Sequence, residues 1–496
     1  MVALGALRGR VGARLDARDR YPRAVLLTGL AGLFATTFPV TILTLALPTI
    51  AEDFGVDEAG LAWLITLPML GSALALPVLG KLGDLHGHRR VFIGGFALAV
   101  VATALSATAP NPAALIAWRT FSQVAGSSTM PSSLALINAV HHGKARAKAM
   151  GWWSMIAAVG PVIGLIIGAP AIDAVGWPML FVLQAGVMTV PLAASWTVLR
   201  ETPSVKARFD VPGAAALALG IGPLLLAVDQ APDWGFASPL TVACLVVAVV
   251  ALVAFSTIER RAVAPLVPLD LVRTAAPRAA LAASLMTGAA YMGGFFLASL
   301  MLVEQFGYSL TSAVPILVIR PAIFAASSPL GGRVTARAGV RVAAVAGGLS
   351  LAAGLTGLAV GSALDSLAVV VGAGLVLQGI GYGLLRPALT TALADSVAEH
   401  DLGMAGASER LANQLGIVFG ITTMASVYAS DVAHLPPAFL VGTGFAAAGT
   451  VVALRMHPRH RHPAPEEEVE PAPAEAVLPP TPPAPGARVG RGGPPP

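Results

Sequence analysis

Long apolar runs joined by short polar links dominate the chain. Stretches near the roughly 20 residues that a helix needs to cross a bilayer fall at about 24–48, 59–79, 91–108, 113–138, 149–170, 177–199 and 211–229. A second group follows at about 238–257, 277–302, 312–330, 342–362, 366–390, 404–428 and 437–455. Apolar runs this long lack the residue-by-residue alternation of a lipid-facing barrel strand, so the pattern predicts an all-α integral membrane protein with 14 transmembrane helices. The first run is itself long enough to span, and no cleavage site follows a short apolar core. A retained helix is therefore expected there, not a removed leader.

Composition agrees with this picture. Only 11% of the residues are charged, against about 25% in a soluble domain, too few to cover a water-facing surface. The single Cys244 excludes an intrachain disulfide framework. Abundant Ala, Gly, Val and Arg with few Lys hints at a GC-rich bacterial gene. The position of the charges bears on topology. Of 31 Lys and Arg, only Arg119, Arg320, Arg386 and Arg410 fall well inside the apolar runs, Arg278 and Arg455 standing at the ends of theirs. The others gather in a basic arm over 1–23, in every second loop, and after the last run. The alternate loops hold Glu52, Asp53, Asp57, Glu58, Asp233 and Asp365 instead. Both termini are expected in the cytoplasm, with the chain in a bacterial cell membrane. The last forty residues, rich in Pro and Glu, are expected to be a disordered tail over 457–496. For His457, His460 and His462 at its start, a solvated basic flank and a metal site are both open readings.

One motif occurs twice. "GKLGDLHGHR" at 80–89 overlays "GRVTARAGVR" at 332–341, pairing Gly80 with Gly332, Gly87 with Gly339 and Arg89 with Arg341. Each copy follows the second helix of a six-helix block. The expected organisation is a six-helix bundle over 24–199, two inserted helices with linkers over 200–275, and a second bundle over 276–456. Repeated halves around a central site are the plan of carriers that alternate access between two sides of a membrane.

These residues resemble the major facilitator superfamily. "GKLGDLHGHRRVFIGG" is similar to its 2–3 loop signature, G-x-L-x-D-x-x-G-R-[RK]-x. "LIAWRTFSQVAGSSTMPSSLALI" (115–137) is similar to its fourth-helix motif, with Arg119 at the arginine position, and "AVGPVIGLIIG" (158–168) to the fifth-helix antiporter motif, through Gly160, Pro161 and Gly164. "FDVPGAAALALG" and "ERRAVAPLVPLDLVR" resemble the segments around the extra helix pair of the fourteen-span drug:proton antiporters. The resemblance implies that the 2–3 loop is a conformational latch, made of Gly80, Asp84, Gly87, Arg89 and Arg90, in which Asp84 lies near the N-terminal end or flank of a neighbouring helix and pairs with a basic residue, holding the halves in one state. The residues alone also fit a tight glycine-rich turn holding a salt bridge worth about 0–1 kcal/mol. The second copy has Ala336 where the first has Asp84. Gly160, Pro161 and Gly164 are expected to bend the fifth helix and let it pack closely, though a small-residue packing face fits equally.

Charge inside a bilayer is costly, so the four arginines in the runs are functional candidates. Arg320 lies too deep to snorkel, whereas Arg386 and Arg410 lie near the cytoplasmic ends, where snorkelling explains them. Arg119 reaches a central cavity if it faces inward. Gln123, Gln378, Asn413 and Gln414 are candidate cavity residues, with Trp152, Trp153, Tyr291, Met292, Phe295 and Phe296 as apolar surface; ordinary helix packing accounts for each as well. Two departures from the family pattern touch on energy coupling. Pro39 stands at the usual first-helix acid position and Thr44 where Asn is common; Ser122 and Gln123 replace the Gln-Gly after the fourth-helix arginine. A proton-coupled exporter needs a carboxylate that loads and unloads. Asp173, Asp229, Glu304 and Glu409 are the candidates, with Glu304 and Glu409 preferred. The expected function is proton-driven export of hydrophobic or amphipathic small molecules, by a monomer, with no cofactor and no nucleic-acid partner. The alternative is a facilitator or exporter of an anionic metabolite. H-E-x-x-H, G-x-S-x-G and phosphate-loop motifs are absent from the sequence, which leaves an embedded enzyme or sensor as a remote alternative.

Overall fold

A computed structural model describes residues 20–56, 61, 63–202, 209–235, 238–261, 274–397, 402–428 and 432–456. Among these, every regular element is a helix. The arm over 1–19, most of both linkers, the tail with His457, His460 and His462, and Asp57 and Glu58 lie outside the described residues. So do the side chains of Pro39, Thr44, Asp173, Asp229 and Asp233. The helices are α1 (Tyr21–Thr37), α2 (Pro39–Phe54), α3 (Trp63–His86), α4 (His88–Ser106), α5 (Pro112–Gly126), α6 (Thr129–Val140) and α7 (Gly143–Val198). Then come α8 (Val211–Trp234), α9 (Pro239–Glu259), α10 (Ala275–Leu300), α11 (Leu310–Ala338), α12 (Val340–Ala363), α13 (Val376–Ala394), α14 (Leu402–Tyr428) and α15 (Leu435–Ala453). Ten helical segments among the described residues are long and apolar enough to cross a membrane.

Local chemistry explains where apolar run and helix part company. The run over 24–48 is divided between α1 and α2, because Pro39 has no N–H to give the carbonyl four residues back. The run over 113–138 is likewise divided between α5 and α6, with Pro131 just inside α6. Segment α7 joins two expected runs and leaves helical geometry at Gly176 (φ 72°, ψ 160°). Its backbone stays helical through Pro161, so the expected bend at that proline is not where this hairpin breaks. Caps mark the starts: the Asn111 side chain accepts from the Ala114 N–H at 2.9 Å, and the Ser238 and Ser309 hydroxyls do the same for α9 and α11.

Helices α1–α7 pack as one set and α10–α15 as another, and the sets meet where α3 lies on α14 and where α7 lies on α11. The pair α8–α9 packs on itself, and α8 also touches α3 and α14. Leu217, Ile221 and Leu225 of α8 share a core with Leu70 and Leu74 of α3 and Val418 of α14. The inserted helix therefore covers the seam between the sets.

The repeated motif is mostly helix, not the tight turn its glycines suggest. Residues 80–86 complete α3, and the corner is Gly87 alone (φ 95°, ψ 131°). The second copy turns at Gly339 (φ 93°, ψ 163°), with residues 332–338 completing α11. Both corners use backbone angles that L side chains rarely adopt. A Cβ on Gly339 meets open space, whereas one on Gly87 collides with the Glu201 carboxylate. Gly339→Ala is therefore expected to cost the backbone strain alone, about 1–3 kcal/mol, and Gly87→Ala to cost more. Thermal unfolding of the two variants in detergent checks this order.

Candidate functional site

A cavity of about 900 Å³ lies between the two helix sets, within the size range of small-molecule sites. Leu33, Met69, Met130 and Trp153 line it from the first set, Ile221 and Leu225 from α8, and Met292, Phe295, Phe296 and Phe324 from the second. Apolar and aromatic surface dominates. Polar groups enter at a few places, among them Thr36, Gln123, Ser154, Asn413 and Gln414. Trp153 is fixed by an indole N–H bond to the Ser133 hydroxyl at 3.1 Å.

The arginines organise the second-set wall. Arg320 is 2% exposed and lies over the faces of Tyr291 (3.7 Å) and Phe295 (4.1 Å). One terminal N–H group donates to the Tyr291 carbonyl, while Nε has no partner. Tyr291 stacks on Tyr382 at 3.8 Å, and Phe324 meets both rings edge-on. The Tyr382 hydroxyl accepts from the Asn413 amide at 2.9 Å. Arg386 forms a buried two-point ion pair with Glu409, which also accepts from the Ser284 hydroxyl at 2.5 Å. Burial and pairing replace the snorkelling expected of Arg386, and Arg410 likewise lines the cavity.

Backbone contact seals one end, the end that carries the basic loops. A Cβ on Gly332 would sit 2.6 Å from the Ala147 carbonyl and 2.9 Å from the Gly151 Cα; one on Gly80 would sit 3.1 Å from the Gly403 carbonyl. The two motif copies thus play matching parts, each pressing a glycine of one set onto the helix opposite. Asp84 strengthens its own side. It is 3% exposed and accepts from the N–H groups of Gly403 (3.2 Å) and Met404 (3.0 Å), at the start of α14. The unpaired amides and the helix dipole make that end a natural seat for a carboxylate. The His88 ring lies 2.9 Å from the same carboxylate. The other side of the seal is Arg146, which donates to the carbonyls of His141 (2.9 Å) and Asn138 (3.0 Å) in its own set. It also donates to the Ala394 carbonyl (3.2 Å) and Asp395 (2.5 Å) in the other. Burial, with the charges of His142 and Arg146, holds the His141 imidazole below its ordinary value against the opposing bond to the Ile137 carbonyl.

The sequence candidates divide three ways. Gln123, Pro161, Arg320, Asn413 and Gln414 line the cavity, while Glu409 stands behind Arg386. Gly80 and Asp84 join the two sets, but Arg89 and Arg90 work within the first. The Arg89 N–H donates to Glu201 at 2.9 Å, its side chain to the Trp196 carbonyl at 3.1 Å, and Arg90 lies 3.5 Å from the Glu201 carboxylate. Gly160 abuts Thr37 where α1 ends, and Gly164 is buried. Three candidates lie apart from the cavity. Arg119 faces Phe181 at 5.0 Å. Gln378 is fully buried, its side chain without a partner. Glu304 is exposed in the π-helical segment Met301–Gln305 that continues α10, where it accepts from the Tyr428 hydroxyl. Arg146, Gly151, Ser284 and Tyr382 carry no sequence signal of these roles.

Two helix sets related by a repeated motif, enclosing a cavity and sealed at one end, define a membrane carrier. The family model of the Major Facilitator Superfamily matches residues 29–419 and 316–490, and the chain belongs to that family. It is 31% identical, over 82% of its length and 75% of the relative's, to the multidrug resistance protein Stp of Mycobacterium tuberculosis. It is 26% identical to the tetracenomycin C resistance and export protein of Streptomyces glaucescens, covering 84% of this chain and 78% of that one. Among solved structures, the human organic anion transporter MFSD10 shares its fold with a TM-score of 0.65 at 18% identity, covering 87% of this chain and 99% of that one.

Removing the Asp84 carboxylate deletes a helix cap, worth about 0.5–2 kcal/mol, from one state of the seal. Asp84→Ala is therefore expected to open the basic end by up to about thirtyfold in population. With Cys244 replaced, maleimide labelling of an Ala407→Cys reporter beside Gly80 measures the shift.

Proposed function

We propose that the chain is a secondary-active exporter of hydrophobic or amphipathic small molecules that works by alternating access. In this reading it crosses a bacterial cell membrane fourteen times as a monomer, with both termini and the sealed basic end in the cytoplasm. Division into two six-helix bundles, 24–199 and 276–456, follows the repeated motif, and α8–α9 are the inserted pair over 200–275. The observation that carries the proposal is the large apolar cavity shared by both helix sets and closed by glycine contacts at one end. Substrate released to the outside leaves from this state; separation of Gly80 from Gly403 and of Gly332 from Gly151 opens the path from the cytoplasm. The relatives' roles in multidrug resistance and antibiotic export support the same direction of transport.

The proton gradient is the proposed driving force, with Glu409 as the carboxylate that exchanges the proton. Its burial against Arg386 and Ser284 ties its charge to the cavity wall, because a proton on Glu409 removes the partner of Arg386. Glu304 lacks that connection. In everted vesicles energised with a proton gradient, accumulation of a neutral apolar drug is expected to fall at least about tenfold in Glu409→Gln and to persist in Glu304→Gln. Accumulation that survives collapse of the gradient in the wild type sinks proton coupling. No transport of any candidate drug under any gradient sinks the exporter reading.

A further inference from the structure

The charged side chains in the cavity wall, among the described residues, are Arg320, Arg386 and Arg410. Among the described residues, Asp, Glu, Lys and His do not line it. Glu409 cancels Arg386 from behind the wall. Among the described residues, neither Arg320 nor Arg410 has an ion-pair partner. The Arg320 charge is moderated by two aromatic faces and one carbonyl, and its Nε is unsatisfied. Arg410 lines the cavity, where Arg386 repels it and Glu409 attracts it, so that one carboxylate already paired with Arg386 is shared by two guanidinium groups. A cation held in an apolar wall without a counter-charge is unfavourable, and the ligand that relieves it is an anion. A cationic drug would add positive charge to a wall that already has an excess of it.

We propose that this cavity selects amphipathic organic anions: a carboxylate, sulfonate or phenolate on an aromatic or polycyclic apolar body. The acid group sits at Arg410, within the field of Arg320, and the body lies along Met69, Met130, Trp153 and Phe296. The inference rests on the exporter reading only for the direction of transport; the binding preference stands apart from it.

The test pairs naphthylacetate with naphthylmethylammonium, two amphiphiles of similar size and opposite charge, titrated calorimetrically into the purified full chain. Wild type is expected to bind the acid at least about tenfold more tightly than the ammonium, the scale of one charge-assisted hydrogen bond. Arg410→Gln should weaken the acid by about ten- to a hundredfold and bind the ammonium as well as or better than wild type does; Arg410→Lys, which keeps the charge, should recover part of the loss. Glu409→Gln should move the acid the other way, because it frees Arg386. Opposite signs at 410 and 409 are not what general loss of structure produces. Equal affinity of wild type for the two probes overturns the proposal without any variant, and so does a parallel loss of both probes in Arg410→Gln. Everted vesicles separate the two readings. Accumulation of the ammonium but not the acid refutes anion selection and keeps the exporter. Tight binding of the acid with transport of neither probe keeps anion selection and refutes the exporter.

Discussion

Everything about the cavity depends on how closely two helix sets approach at one end. Gly332 against Gly151 and Gly80 against Gly403 bring backbone close to backbone; a Cβ on Gly332 would collide with the Ala147 carbonyl, and one on Gly80 would crowd Ala407 and the Gly403 carbonyl. Close-packed interiors deform little, so such a contact is made or lost as a unit. Contacts between small residues carry little hydrophobic free energy, because lipid solvates apolar side chains as well as protein does. The seal is therefore firm enough to define a state and weak enough to leave it.

Polar groups supply the remaining specificity of that seal. Asp84 satisfies two orphan amides at the start of α14, and Arg146 satisfies carbonyls in both sets while meeting Asp395. These bonds exist only while the end is closed. Separation of the sets exchanges them for water, which costs far less at a water-facing end than it would mid-membrane. This placement explains why the polar locks sit at the basic end and the cavity wall above them is apolar. The exception is the arginine group on the second set, where burial is accepted and Tyr291, Tyr382 and Phe295 shield the charge.

Much of this plan was legible along the chain. Run length and charge placement point to a helical membrane protein, and the duplicated glycine motif to two related halves. Asp84 was distinguishable from its repeat partner Ala336 as the acid-bearing copy. Other features were not legible, for physical reasons. Helices outrun their apolar stretches at the basic end, so residues 80–86 form helix where glycine spacing suggested a turn. Snorkelling fits Arg386 by depth alone; its true partner, Glu409, lies on another helix. Glu304 and Gln378 have the polarity of cavity residues but the wrong helix face or level, which residue type does not encode.

By itself, the sequence determined the helical class, the family and the position of the basic loops, because hydropathy, charge and motif spacing are properties of neighbours in the chain. Only the tertiary structure decided which glycines meet across the seam, that α8 forms part of the cavity wall, and that the wall's arginines outnumber the acids able to balance them. Those facts arise from residues far apart in sequence, whose meeting depends on the rotation and depth of whole helices.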